Sequence, residues 1–107
     1  MEKLRFRTSA DNNGRIETIE IGGFLILETA LELKNELVII FNRLHTEVKI
    51  SIRDLEEMDL SAVQLLVVFI RYMGQKKIKY EIDWNLDEDQ KAFFINVGMG
   101  DELYMNN

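Results

Sequence analysis

The spacing of hydrophobic residues swings between two and about 3.6 along this chain, and few folds can satisfy that pattern. Leu4 and Phe6 alternate with charged residues over Lys3 to Ser9, and Ile16, Ile19 and Ile21 do so, partly in phase, over Arg15 to Ile21. Asp11-Asn12-Asn13-Gly14 lies between them. Its short polar side chains and final glycine tolerate positive φ, so the spacing predicts a β-hairpin. Gly22-Gly23 breaks the pattern, and Phe24 to Leu27 extends the strand until Glu28 or Thr29 opens a helix.

From Ala30 the period lengthens: Leu33, Leu37, Ile40, Phe41 and Leu44 recur at three- and four-residue steps, which predicts an amphipathic helix. Glu47 to Ile52 alternates again as a strand and runs into an acidic loop, Arg53 to Asp59. Ser61 to Met73 is nearly all apolar. Its β-branched residues suit a buried strand, but its length decides for a helix with Leu65, Leu66 and Phe69 in the core. Asp59 and Ser61 offer capping oxygens at its start, and Arg71 and Gly74 offer a cation and a stop at its end. Lys77 to Trp84 is a further alternating strand. Asp87-Glu88-Asp89 then precedes a helix carrying Ala92, Phe93, Phe94 and Val97 and closed by Gly98.

The order β-β-α-β-α-β-α, with right-handed helical crossovers, implies an α/β fold. Its sheet is a mixed one of four to five strands, an N-terminal antiparallel hairpin followed by parallel strands, packed with helices. At 107 residues and 47% hydrophobic content, the chain is expected to form one domain over residues 1–107. No cysteine is present, which removes thiolate nucleophiles, disulfides and zinc fingers. A formal charge of −6 repels a polyphosphate backbone, so no nucleic-acid partner is expected. The longest apolar stretch, Ala62 to Ile70, covers about half of the ~20 residues that a membrane helix needs. Met1 to Arg7 lacks the apolar core of a secretion signal. The expectation is a cytoplasmic protein with no membrane insertion.

A search for chemistry finds no catalytic set. His45, the single histidine, reads either as a general base or ligand or, with more weight, as a helix C-terminal residue favoured by the dipole. Glu56-Glu57-Met58-Asp59 and Asp87-Glu88-Asp89 could offer oxygens to a cation but lack the glycine turn and ligand spacing of a calcium loop. Gly22-Gly23 and Gly98-Met99-Gly100 do not make a phosphate loop, and Lys76, Lys77 and Lys79 read as a solvated strand edge. No enzyme activity, cofactor or metal is expected.

One stretch stands apart: the strand Val48 to Ile52, a short acidic loop, then Met58-Asp59-Leu60-Ser61-Ala62-Val63-Gln64-Leu65-Leu66 opening an apolar helix. It resembles the STAS family, the domain of anti-sigma factor antagonists and of sulfate-transporter tails, whose signature is an aspartate, two small residues, a glycine and a leucine-rich helix. Small stand-alone members read much like Asp-Thr-Ala-Gly-Leu-Gln-Leu-Leu, matched here at Asp59, Gln64, Leu65 and Leu66. Gly23 to Ala30 with Leu33, Lys34 and Leu37, and Phe93 to Leu103 with Asn96-Val97-Gly98-Met99, are similar to the family's glycine-led strand and its last helix.

The resemblance implies a non-enzymatic regulatory module that binds a protein partner, such as an anti-sigma factor, a kinase-like regulator or another signalling protein. It places the partner surface at Met58, Asp59, Leu60, Ser61 and Ala62. A kinase often phosphorylates the first hydroxyl residue after the family's aspartate, but that position here is Leu60, and Ser61, one residue later, is the candidate phosphorylation site. The departure points to binding without the usual phosphoswitch. The alternatives left open are a small-ligand or nucleotide-binding STAS module, and a STAS subunit of a chemotaxis or lipid-transport system.

Overall fold

The hairpin forms where the polar turn was expected. In the computed structural model, which describes residues 3–103, β1 (Leu4–Ala10) and β2 (Ile16–Leu25) flank a turn in which Asp11 Oδ1 accepts the amide protons of Asn13 (2.8 Å) and Arg15 (3.0 Å). Met1 and Glu2, part of the segment read for a secretion signal, lie outside the described residues. After β2 come α1 (Leu27–Phe41), β3 (Glu47–Met58), α2 (Leu60–Gln75), β4 (Lys79–Trp84) and α3 (Glu88–Asn96), then a single 3-10 turn at Gly100–Leu103. The order matches the expected one.

The fold is α/β, with one four-stranded mixed sheet in the order β1-β2-β3-β4 among the described residues. β1 pairs antiparallel with β2, while β2, β3 and β4 run parallel. Alternation sorts the side chains. Ile19 and Ile21 of β2, Val48, Ile50 and Ile52 of β3, and Tyr80 and Ile82 of β4 point into one buried cluster. Leu33, Leu37 and Ile40 of α1 join it, as do Val63, Leu66, Val67, Ile70 and Met73 of α2. The other sheet face is polar. Glu20 meets Arg53 at 3.3 Å there, and the Ser9 and Thr18 hydroxyls are hydrogen-bonded. Parallel sheets are usually covered on both sides, and the period of two in this sequence supplies apolar residues for only one. No helix among the described residues is long and apolar enough to cross a membrane.

Several boundaries differ from expectation. Gly22-Gly23 does not interrupt β2; it lets the strand pass between crowded neighbours. A Cβ on Gly22 would lie 2.4 Å from the Arg53 carbonyl oxygen, and Gly23 adopts φ +83°. The segment read as an acidic loop is the second half of β3, where Leu55, Glu57 and Met58 pair with Gly23, Phe24 and Leu25. A kink at Asp54, with φ 54°, restores the pairing, and aspartate tolerates that left-handed conformation better than most residues. Gly74 does not stop α2, which runs on to Gln75; Lys77 takes the positive φ, 60°, that turns the chain into β4. Leu65 is half-buried beside the fully buried Leu66, so its expected place in the core holds only in part.

Candidate functional site

Parallel strands β2, β3 and β4 bring their C-terminal ends to one edge of the sheet, and each feeds a helix there. Open α/β sheets bind their ligands outside the carboxyl ends of the strands. Three helix N-termini, with their unpaired amides, therefore converge.

Asp59 organises the corner between two of them. It is the N-cap of α2, and its Oδ1 accepts the Ala62 amide proton at 3.3 Å. Its Oδ2 accepts the amide proton of Leu27, the first residue of α1, at 2.8 Å. Its own amide donates to the Leu25 carbonyl at the end of β2 (2.8 Å). One carboxylate thus closes two helices and fixes both to the sheet. Beside it the Thr29 hydroxyl accepts the Ile26 amide proton (3.1 Å) and donates to the Phe24 carbonyl (2.7 Å), completing the start of α1.

The residues expected at a partner surface separate into two groups. Leu60 is 42% exposed and Ser61 is exposed; Met58 and Asp59 are half-buried. Ala62 is fully buried, so this small residue lets α2 lie against the sheet and cannot itself touch a partner. Leu27, read from sequence as the tail of a strand, is 67% exposed. Two exposed leucines therefore open two helices on either side of one carboxylate. Nothing in local spacing announces Leu27, because the bond that places it comes from 32 residues away.

The third helix start is self-contained. Asp87 Oδ1 accepts the Gln90 amide proton (2.8 Å) while Gln90 Oε1 accepts that of Asp87 (3.0 Å), a reciprocal capping box. The Gln90 side-chain Nε2 donates to the Leu55 carbonyl (3.1 Å), on the stretch of β3 that outruns β4. Asp87-Glu88-Asp89 is therefore the cap and first turn of α3, the helix start that the sequence placed there. Glu28, Glu56, Glu57 and Glu88 add exposed negative charge along the same edge. Among the described residues, no group of three or more His, Cys, Asp or Glu is placed to hold a metal ion.

His45 lies at the far end. It is exposed just ahead of β3, whereas Ser61 follows its end. Twelve strand residues between them correspond to roughly 35–40 Å at about 3.3 Å per residue. The histidine cannot serve as a base for that serine. His45 instead borders a shallow depression with Asp11, Arg15, Glu47 and Lys49, where the charges are of mixed sign. It follows the end of α1 by four residues, so it is not a residue of the helix's last turn.

Compared with known proteins, the chain matches no family model and no curated protein.

Proposed function

We propose that this chain is a non-enzymatic, cytoplasmic protein-interaction module of the STAS type, and that it binds its partner through the corner formed by Leu27, Met58, Asp59, Leu60 and Ser61. The observation that carries the reading is the pair of exposed leucines at the starts of α1 and α2, beside an Asp59 carboxylate that bonds the backbone amides of Leu27 and Ala62. Ordering this corner before binding lowers the entropy cost of association. The element order and the entry into α2 after Asp59 support the likeness to STAS domains. So does the position of the corner at the sheet edge where such folds meet their partners. The mechanism is competition: the module occupies a regulator and releases what that regulator held.

Binding is constitutive in this reading. Leu60 supplies an apolar contact where members of the resembled family carry a hydroxyl. The Asp59 and Asp87 carboxylates between them occupy all three helix N-termini, and with the glutamates around them they oppose a nucleotide phosphate at this edge, which favours a protein partner over a nucleotide.

The test is capture from native lysate with wild-type chain and with Leu60→Asp. A charge forced into a desolvated contact costs several kcal/mol unless it finds a counter-charge. Partner recovery should fall at least tenfold with an unchanged melting temperature and no phosphate on Ser61. Unchanged recovery by the variant removes this corner from the interface, and stoichiometric Ser61 phosphate that alters affinity replaces constitutive binding with a switch.

A further inference from the structure

β1 is a margin of the sheet, and its hydrogen bonding leaves one side open. The Phe24 amide donates to the Lys3 carbonyl at 2.6 Å, one step before the paired Leu4 and Gly23. In an antiparallel pair, residues that exchange hydrogen bonds alternate with residues whose amide and carbonyl point away. Lys3, Arg5, Arg7 and Ser9 therefore bond inward to β2, while Leu4, Phe6 and Thr8 turn these groups outward. The Asp11 amide, which donates to the Arg15 carbonyl at 2.9 Å, continues the alternation past the irregularity at Ser9 and Ala10. Among the described residues no hydrogen bond reaches the outer side of β1.

Proteins blunt such margins with proline, bulges, very short strands or charge. This chain has no proline, β1 runs for seven residues, and its one irregularity falls at its last step. Charge remains, and it selects the occupant. β1 carries Arg5 and Arg7 and no acid, in a chain of net charge −6. Both arginines lie on the polar face of the sheet; Leu4 and Phe6 lie on the other, against the core. Arg5 meets Asp54 at 3.4 Å, but Glu20, the residue opposite Arg7, is engaged by Arg53 at 3.3 Å. Lys3 joins Arg5 and Arg7 around a shallow depression whose two acids, Asp54 and Glu56, belong to β3. The other acids of the hairpin, Asp11 and Glu17, lie at its turn end. A second copy of β1 is a poor fit. Laid antiparallel on itself about Phe6 it sets Arg5 against Arg7, and about Arg7 it sets that arginine against its twin; like charges directly opposite are destabilising.

We propose that the outer side of β1 docks an extended segment of another protein, with acidic residues at every second position and apolar residues between them. The segment adds a strand to the sheet, a mode in which backbone bonds give affinity and alternate side chains give specificity. Its backbone completes the ladder at Phe6 and Thr8. Its acids meet Arg5 and Arg7 on the polar face, and its apolar side chains extend the row begun by Phe6. The site uses neither Leu27 nor Leu60, so it stands or falls apart from the corner.

The probe is a synthetic peptide alternating glutamate with valine, set against one alternating lysine with valine, and the readout is amide exchange in the full chain by nuclear magnetic resonance. In the free chain the Phe6 and Thr8 amides should exchange fast and those of Arg5 and Arg7 slowly. The glutamate peptide should slow Phe6 and Thr8 and leave Arg5 and Arg7 unchanged. Arg7→Glu should weaken binding about tenfold, because a favourable cross-strand pair becomes a like-charged one. Thr8→Pro removes an outward amide, which an edge strand tolerates, and should abolish binding with unchanged melting. Unaltered exchange at Phe6 and Thr8, or equal binding of the lysine peptide, overturns the proposal. Protection of those two amides without peptide, growing with protein concentration and lost in Thr8→Pro, gives the margin to a second copy and overturns it as well.

Discussion

Asp59 and Asp87 each open a helix at the same edge of the sheet, yet they do different work. Asp87 exchanges hydrogen bonds with Gln90 three residues on, and α3 behind it buries only Phe94. Asp59 reaches Ala62 with one oxygen and Leu27 with the other, and α2 behind it buries seven residues. Asp87 is thus a local stop signal, whereas Asp59 joins two helices that belong to different crossovers. A residue of the same type at the same kind of position becomes structural glue once a second backbone amide comes within reach.

The largest effect should come from the packing behind Asp59. Leu66 is 3% exposed, so Leu66→Ala should lower the stability measured by denaturant unfolding by about 2–5 kcal/mol. A loss well below 1 kcal/mol would remove α2 from its central place. Next, Asp59→Ala strips a cap from two helices and should cost about 2 kcal/mol, at about 1 kcal/mol for each cap. Asp87→Ala opens one helix and should cost about 1 kcal/mol; equal losses at the two positions would erase the contrast between them.

A third aspartate gives the smallest effect. Asp11 caps no helix, and the Arg15 backbone amide, followed by that of Asn13, holds its carboxyl below the usual value of 3.8. Because the folded value is the lower one, Asp11 contributes its stability above pH 3.8, and that contribution fades as the pH falls through the folded value. A carboxyl titration followed by nuclear magnetic resonance should place the Asp11 midpoint below 3.8, with the Asn13 and Arg15 amide shifts moving together. A midpoint at or above 3.8 would mean the turn does not favour the ionised form.

Much of the architecture was legible in the spacing of apolar residues. Alternation at Val48, Ile50 and Ile52, and at Ile78, Tyr80 and Ile82, fixed which side of each strand is buried, and the run from Val63 to Met73 marked the central helix. What local pattern could not carry were features set by distant neighbours. Arg53 to Met58 looks like loop because its residues are acidic, and it becomes strand because Gly22 and Gly23 let β2 come close. Gly74 looks like a stop, but nothing in the α2 backbone requires a positive φ until Lys77. At the candidate site the sequence exposed Asp59 and Leu60. Leu27 stayed hidden, because its role depends on a carboxylate far along the chain.

The bridge from Leu27 to Asp59 also bears on the order of assembly. Each helix can form its own first turn early, but the bond spanning 32 residues closes only after β3 has been laid beside β2. Its energy is expected to act more on unfolding than on folding, which the two limbs of a denaturant chevron for Asp59→Ala would show. Stabilisation of that kind acts on the rate of leaving the native state and hardly at all on the rate of reaching it. On this reasoning one oxygen of Asp59 caps α2 early while the other is a latch that engages late, and Asp59→Ala should shorten the lifetime of the folded protein more than it slows folding.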